Sequence, residues 1–150
     1  MEEGELVYSF TTVHHIVYHV YFLDYSAYLP GFDRIYSFNI EPEEDTPHPI
    51  DIRIAQTIVY LLRQFFRNHQ NAMIMICDSL DGKELKREKL FSRWFDRYND
   101  GTIQKYDASS ANEDYTLYVS LYVHRQNPDM SRLVAAFYDL VKNNMYPLES

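Results

Sequence analysis

The sequence has little cysteine, little glycine and no long apolar run, and each shortage excludes a class of protein. The one cysteine among 150 residues, Cys77, cannot form an internal disulfide, which favours a reducing compartment. The four glycines build no glycine-rich phosphate loop. No apolar run approaches the ~18 residues of a membrane helix, and the acidic start is unlike a secretory signal. We therefore expect one cytoplasmic domain over residues 1–150, with no membrane association.

Basic residues are scarce in the first third of the chain. Residues 1–50 contain nine acidic side chains and one basic side chain, Arg34, whereas the charges of residues 51–150 balance. An acidic surface repels phosphate backbones, so nucleic acid is not an expected partner. The densest acidic stretch, residues 41–45, is more typical of a solvated loop than of a site.

The stretch around which the chain is organised is residues 73–98. Residues 72–77 form an unbroken apolar run, which is typical of a strand buried on both faces. A turn over residues 79–82 follows, and Asp81 with Glu84 has the spacing of a capping box. The pattern then predicts a helix over residues 85–98, with Trp94 on its apolar side. The sequence Asn99-Asp100-Gly101 is expected to end this helix, because Gly101 can take positive φ.

One charged residue falls within the apolar side of that helix. At about 100° per residue, Arg87 lies near the angle of Trp94 and needs a partner or a route to water. Asp78, at the end of the strand, is the expected partner. Two interpretations stay open: an ion pair that holds the turn, or a ligand-facing pair at the carboxyl end of a strand, where open sheets bind ligands.

The opposite side of the same helix is basic, with a stripe made of Lys86, Lys89, Arg93 and Arg97. Such a stripe is typical of a solvated helix face. The alternative is docking to an acidic surface, either that of a protein partner or the acidic first third of this chain, within the monomer or across a dimer.

The rest of the chain predicts an α+β domain with a single mixed, twisted sheet. The element order is β-β-β-α-β-α-β-β-α, and the first three strands are expected to form an antiparallel meander. We expect strands near 6–10, 16–23, 35–40, 72–77, 102–107 and 115–123, a turn over 109–114, and helices from Pro49 or just after it, over 85–98 and from an Asn127-Pro128 cap. The second strand is expected to be covered on both faces.

Residues that suggest chemistry do not assemble into a catalytic or metal site by sequence. His15 and His19 are four apart, but in a strand this spacing separates them by roughly 13 Å, too far for one ion, so no metal site is expected. An apolar strand before Cys77 and an acid after it would raise the thiol pKa, which argues against a nucleophile. No cofactor is predicted.

Several segments carry a resemblance to known families. They are residues 51–58 (DIRIAQTI), 65–66 (FF), 76–78 (ICD) and 90–95 (LFSRWF). With them the chain resembles a family of small uncharacterised bacterial proteins of Bacteroidetes type, a domain of unknown function. The element order also resembles that of GNAT acyltransferases. That resemblance implies a pyrophosphate-binding loop before the first helix, at residues 47–55, where this chain has Arg53 but no glycine.

Two classes of function follow. The first is a non-catalytic interaction or regulatory module that uses the charge-divided surface. The second is a diverged GNAT-like acyltransferase, or an acyl-coenzyme A or nucleotide-binding protein, that lacks the glycine-rich loop and has its cleft near Asp78, Arg87 and Arg53. The first class is favoured, because the residues form no catalytic constellation. Fold likeness alone does not decide between them.

Overall fold

The computed structural model describes residues 5–12, 15–42, 52–78, 92–97, 99–111 and 116–144. Its strands are β1 (Glu5–Thr11), β2 (Val17–Asp24), β3 (Ile35–Pro42), β4 (Ala72–Asp78), β5 (Ile103–Ala111) and β6 (Thr116–His124). Its helices are α1 (Ile52–Phe65), the helical residues 92–97, which we label α2, and α3 (Met130–Asn144). The predicted α+β class with one mixed sheet is confirmed, and the strand bounds differ in detail.

The six strands are hydrogen-bonded in the order β1-β2-β3-β4-β6-β5. Strands β1, β2 and β3 form the predicted antiparallel meander, and β4, β6 and β5 form a second antiparallel group. The two groups meet at one parallel pair, β3 with β4. A parallel pair needs a crossover between its strands, and α1 supplies it.

Strand β4 lies inside the sheet and is buried on both faces, as its apolar run predicts. Met73 and Met75 face one hydrophobic cluster, whereas Ala72 and Ile74 face another. All four residues are buried, and three of them expose no surface at all. Two-sided burial explains why this strand shows no polar alternation.

Helices α1 and α2 cover the first face of the sheet. The ring of Phe65 stacks on that of Phe22 with centroids 4.4 Å apart and an interplanar angle of 7°, which joins α1 to β2. Ile54 and Ile58 are buried in the same cluster, and Trp94 and Phe95 of α2 pack against it. The predicted inward direction of Trp94 is therefore confirmed.

Helix α3 covers the second face. Leu133, Phe137 and Val141 recur at helical spacing and are buried against Val119 and Leu121 of β6. Asn127 Oδ1 accepts a hydrogen bond from the backbone N–H of Asp129 at 2.8 Å just before the helix begins. The Asn127 side chain thus caps the entry, although the helix itself begins at Met130 instead of Pro128.

Two local predictions are wrong. Strand β2 is covered on one face only, because Tyr18, Val20 and Phe22 are buried whereas the residues between them are half-buried. Strand β5 continues to Ala111, through part of the predicted turn over 109–114, because cross-strand pairing with β6 extends to Ala111↔Thr116. Pairing with a neighbour outweighs the weak strand preference of the Ser-Ser pair.

The Phe22–Phe65 contact gives a test of the fold. Replacing Phe22 by Ala removes a fully buried ring and leaves a cavity between β2 and α1. We expect the free energy of unfolding in urea to fall by about 3–5 kcal/mol. Tyr60→Ala is the matched control on α1, because the Tyr60 ring is 61% exposed; it should change stability by less than ~0.5 kcal/mol. Equal losses in the two variants would contradict this packing.

Candidate functional site

The sheet contains a seam between β3 and β4. The two strands pair only at Ile35↔Ala72, Tyr36↔Met73 and Ser37↔Ile74. Both strands then continue, β3 to Pro42 and β4 to Asp78, with no further pairing between them, although each stays paired with its other neighbour. Among the described residues, β3 and β4 therefore form no further ladder pairs with each other beyond Ser37 and Ile74, at the carboxyl ends of two parallel strands.

Helix α1 is oriented with its first turn toward the seam. Its last residue, Phe65, packs edge-on against Tyr36 at 5.5 Å, near the start of β3. The buried Asn71 side chain donates to the Phe65 carbonyl at 2.8 Å and accepts from Arg34 Nε at 2.8 Å, which fixes this end of the helix beside the start of β4. The amino end of α1 thus lies toward the carboxyl ends of β3 and β4.

The residues predicted from sequence fall partly at this place. Arg53 is exposed in the first turn of α1, and β4 ends at Asp78, so topology puts both residues at the same end of the sheet. The expected contact between Asp78 and Arg87 involves side chains outside the described part of the chain and stays a prediction. Of the basic stripe, Arg93 and Arg97 are described and exposed, whereas Lys86 and Lys89 lie outside the described residues.

His15 and His19 lie on different parts of the first hairpin. His19 lies on β2, where its Nδ1 and the Ser9 hydroxyl are 2.9 Å apart, and His15 lies in the preceding turn with φ 61°. In the described ranges, no group of three or more His, Cys, Asp or Glu side chains has the arrangement of a metal site.

A second candidate site lies at the other end of the sheet. A cavity of about 300 Å³ opens between α1, α2 and the strands β4, β5 and β6. Its inner wall is apolar and includes Phe66, Met73, Phe95, Ile103 and Tyr122. The volume is at the lower end of the range of small-molecule pockets.

The loop between α2 and β5 forms one side of the cavity mouth. Asn99 ends α2 through its backbone N–H, which donates to the Phe95 carbonyl at 2.8 Å. Its side chain bonds to the backbone of Ile103 in both directions, and Gly101 adopts the predicted positive φ of 92°. Asp100 Oδ1 accepts from the backbone N–H and the hydroxyl of Thr102 at 3.1 and 2.7 Å, so the loop is rigidly held.

Two arginines, one in the last turn of α1 and one just after the helix, form the facing side of the mouth. Arg63 and Arg67 lie one turn apart and line the cavity. The pKa of the Asp100 carboxyl is lowered, first by the hydrogen bonds from Thr102 and to a smaller extent by the positive charge of Arg63. Arg67 Nη1 donates to the neutral Gln64 Oε1 at 3.2 Å, so its charge is not neutralised there.

Two histidine rings complete the lining. His69 and His124 stack with centroids 3.8 Å apart and an interplanar angle of 16°. His124 Nδ1 accepts a hydrogen bond from the backbone N–H of Gln126 at 3.0 Å, which requires that nitrogen to be unprotonated. Burial lowers the pKa of His124, and electrostatic interaction with His69 and Arg125 lowers it further. This pair is 55 positions apart in sequence, and no local pattern indicates it.

Comparison with known proteins places the chain in a family. A model of a family of unknown function (DUF6169) matches residues 50–139, more than half of the chain. The chain belongs to this family. The matched range contains all the residues that line the cavity and one of the two strands of the seam. No curated protein and no solved structure matches the chain.

Among the described helices, none has the length and hydropathy needed to cross a membrane.

The His124 environment predicts a pH effect on stability. The pKa of His124 lies below its ordinary value of 6.5 in the folded protein, so the unfolded chain takes up the proton first as pH falls. The free energy of unfolding should therefore decrease as pH falls below about 6.5, until the folded pKa is passed. Urea unfolding at pH 7, 6 and 5 measures this slope.

The matched variants are His124→Gln and His19→Gln, which each remove one histidine from a strand. We expect the slope between pH 7 and 5 to become shallower in His124→Gln and to change less in His19→Gln. A slope unchanged by His124→Gln would contradict a buried, neutral imidazole at this position.

Proposed function

We propose that this chain is a bacterial cytoplasmic protein that binds an acyl-coenzyme A or a similar pantetheine-bearing ligand in the seam between β3 and β4. The single observation that supports the proposal is the parallel pair that stops after Ser37 and Ile74 while both strands continue. The element order read from the sequence, with its resemblance to GNAT acyltransferases, is the second ground for the proposal.

The chemistry of the seam favours an extended ligand that contains amides. Strand edges that no longer pair with each other can accept an extended chain, which adds to them through backbone hydrogen bonds. Phe38 and Met75 are buried in one hydrophobic cluster beside the point where pairing stops, so the seam is apolar on that face of the sheet. A slender chain that alternates amides with methylene groups, such as pantetheine, satisfies both requirements.

The amino end of α1 suits the charged end of such a ligand. The N–H groups of a helix's first turn and the helix dipole favour an anion at such a position. Arg53, exposed in the first turn, brings a guanidinium that can form paired hydrogen bonds with phosphate oxygens. In this proposal the arginine and the helix end perform the role that a glycine-rich loop has in GNAT enzymes, since residues 47–55 contain no glycine.

Thermal shift with coenzyme A, acetyl-coenzyme A and free pantetheine tests the proposal. All three ligands should stabilise the protein, and Arg53→Ala should weaken coenzyme A binding roughly tenfold while leaving pantetheine binding unchanged. The matched control is Lys142→Ala, an exposed cation on α3 at the opposite face of the sheet. No saturable shift with any of the three ligands would refute the proposal.

Hydrogen exchange locates the ligand in the same experiment. Backbone amides of residues 38–40 and 75–77 that face the seam should exchange more slowly when coenzyme A is bound. Amides of β1, an edge strand far from the seam in the sheet order, should not change. Protection that appears only outside β3, β4 and α1 would place the ligand elsewhere.

The second candidate function is a non-catalytic protein-interaction module. Arg93 and Arg97 support it, because both are exposed on α2 and belong to the predicted basic stripe. Affinity capture from the native cell, with Arg93→Glu as the control, tests it. A partner that is captured by the native chain and lost in the variant would support the module; a partner retained equally by both would not use this stripe.

A further inference from the structure

We propose that the cavity between α1, α2 and the strands β4, β5 and β6 is a separate binding site for a small carboxylate with an apolar body. This site lies at the start of β4, whereas the seam lies at its end, so the inference does not depend on the coenzyme A proposal. Nothing in the family assignment provides a ligand for it.

The walls of the cavity select an apolar body. Met73 and Tyr122 expose 0% and 1% of their surface and form its base in the sheet. Ile58 of α1, Phe66 just after α1 and Phe95 of α2 close the sides. The ring of Phe95 packs edge-on against that of Tyr122, with ring centroids 5.1 Å apart, and this contact joins the side of the cavity to its base. Apolar surface of this kind stabilises a bound hydrocarbon group in proportion to the area removed from water.

The mouth of the cavity selects a single negative charge. It contains two guanidinium groups, Arg63 and Arg67, and one carboxylate, Asp100. Thr102 holds the Asp100 carboxylate by hydrogen bonds, and Arg63 interacts with it electrostatically. The negative charge of Asp100 and the positive charge of Arg63 therefore offset each other. The charge of Arg67 remains, because within the described residues its side-chain partner is the neutral amide of Gln64. The mouth therefore has a net charge of about +1 when its histidines are neutral.

This charge favours a carboxylate over a phosphate. A phosphate monoester has a charge of about −1.5 to −2 at neutral pH and would meet the Asp100 carboxylate at the same mouth. A carboxylate has one charge and two oxygens, which match the planar fork of one guanidinium. The apolar walls in turn disfavour small polar acids, so the expected ligand is an aliphatic or aromatic monocarboxylate.

The chain contains its own reporter for this site. Trp94 is the one tryptophan of the sequence, and it lines the cavity. Titration of the full chain with octanoate or phenylacetate should change its intrinsic fluorescence in a saturable way. Octanol and octylamine are the matched probes, with the same hydrocarbon body and a neutral or positive head group. We expect both to bind at least fivefold more weakly than octanoate, because they lose the charge contact at the mouth.

Two variants test the two halves of the site. Arg67→Gln keeps the size of the side chain and removes its charge, and should weaken octanoate about fivefold while leaving octanol unchanged. Val59→Phe adds a ring to a half-buried position of the lining and should abolish the binding of all four probes. Lys142→Gln, on the opposite face of the sheet, is the charge control and should bind octanoate as the unmodified chain does. Thermal unfolding of each variant verifies that it is folded.

The outcomes separate cleanly. Saturable octanoate binding that is weakened by Arg67→Gln and not by Lys142→Gln supports the proposal. Equal binding of octanol and octanoate would overturn the role of the charged mouth, and no saturable change with any carboxylate would overturn the site. If Val59→Phe fails to fold, the Arg67→Gln comparison still decides the result, because it changes an exposed residue only.

Discussion

Burial of β4 on both faces is the constraint on which the other features depend. Because Met73 and Met75 point into one cluster and Ala72 and Ile74 into the other, the strand requires a helix layer on each side of the sheet. Helices α1 and α2 provide the first layer and α3 the second. Removing water from both faces of one strand stabilises the fold in proportion to the apolar area that is buried. The position of β4 also fixes which strands lie beside it.

The two ends of β4 differ in what surrounds them, and this difference creates two candidate sites. At the start of the strand, β3 and β6 are both paired with it, but the gap between α1 and α2 leaves a cavity above Met73. At its end, the described residues pair β4 with β6 and no longer with β3. One site therefore results from incomplete helix packing on a complete sheet, and the other from incomplete pairing within the sheet. Their ligands differ accordingly: an apolar body with a charged head in the first, and an extended chain that needs backbone partners in the second.

Much of the fold is readable from local patterns, and the reason is that each pattern reports a local physical requirement. The apolar run of residues 72–77 predicts a strand buried on both faces, and the helical spacing of Leu133, Phe137 and Val141 predicts the inward side of α3. Gly101 takes the positive φ that its turn requires. The errors arise where packing against another element determines the outcome. Strand β5 extends past the expected turn because β6 pairs with it. One face of β2 stays half-exposed.

The candidate sites are less readable for the same reason. Arg53 and Asp78 could be identified as candidates, because a charged residue at the boundary of a predicted element can be recognised in the sequence. The stacked pair of His69 and His124 and the cavity it borders are not visible, because they join the end of α1 to the end of β6. Nor does any residue mark the point where β3 and β4 stop pairing. The sequence by itself determined the elements, their buried sides and their turns, since these follow from periodicity and from the backbone preferences of single residues. Only the tertiary structure decided where two elements fail to meet. A gap depends on the distance between two surfaces, and no single residue of the sequence encodes that distance.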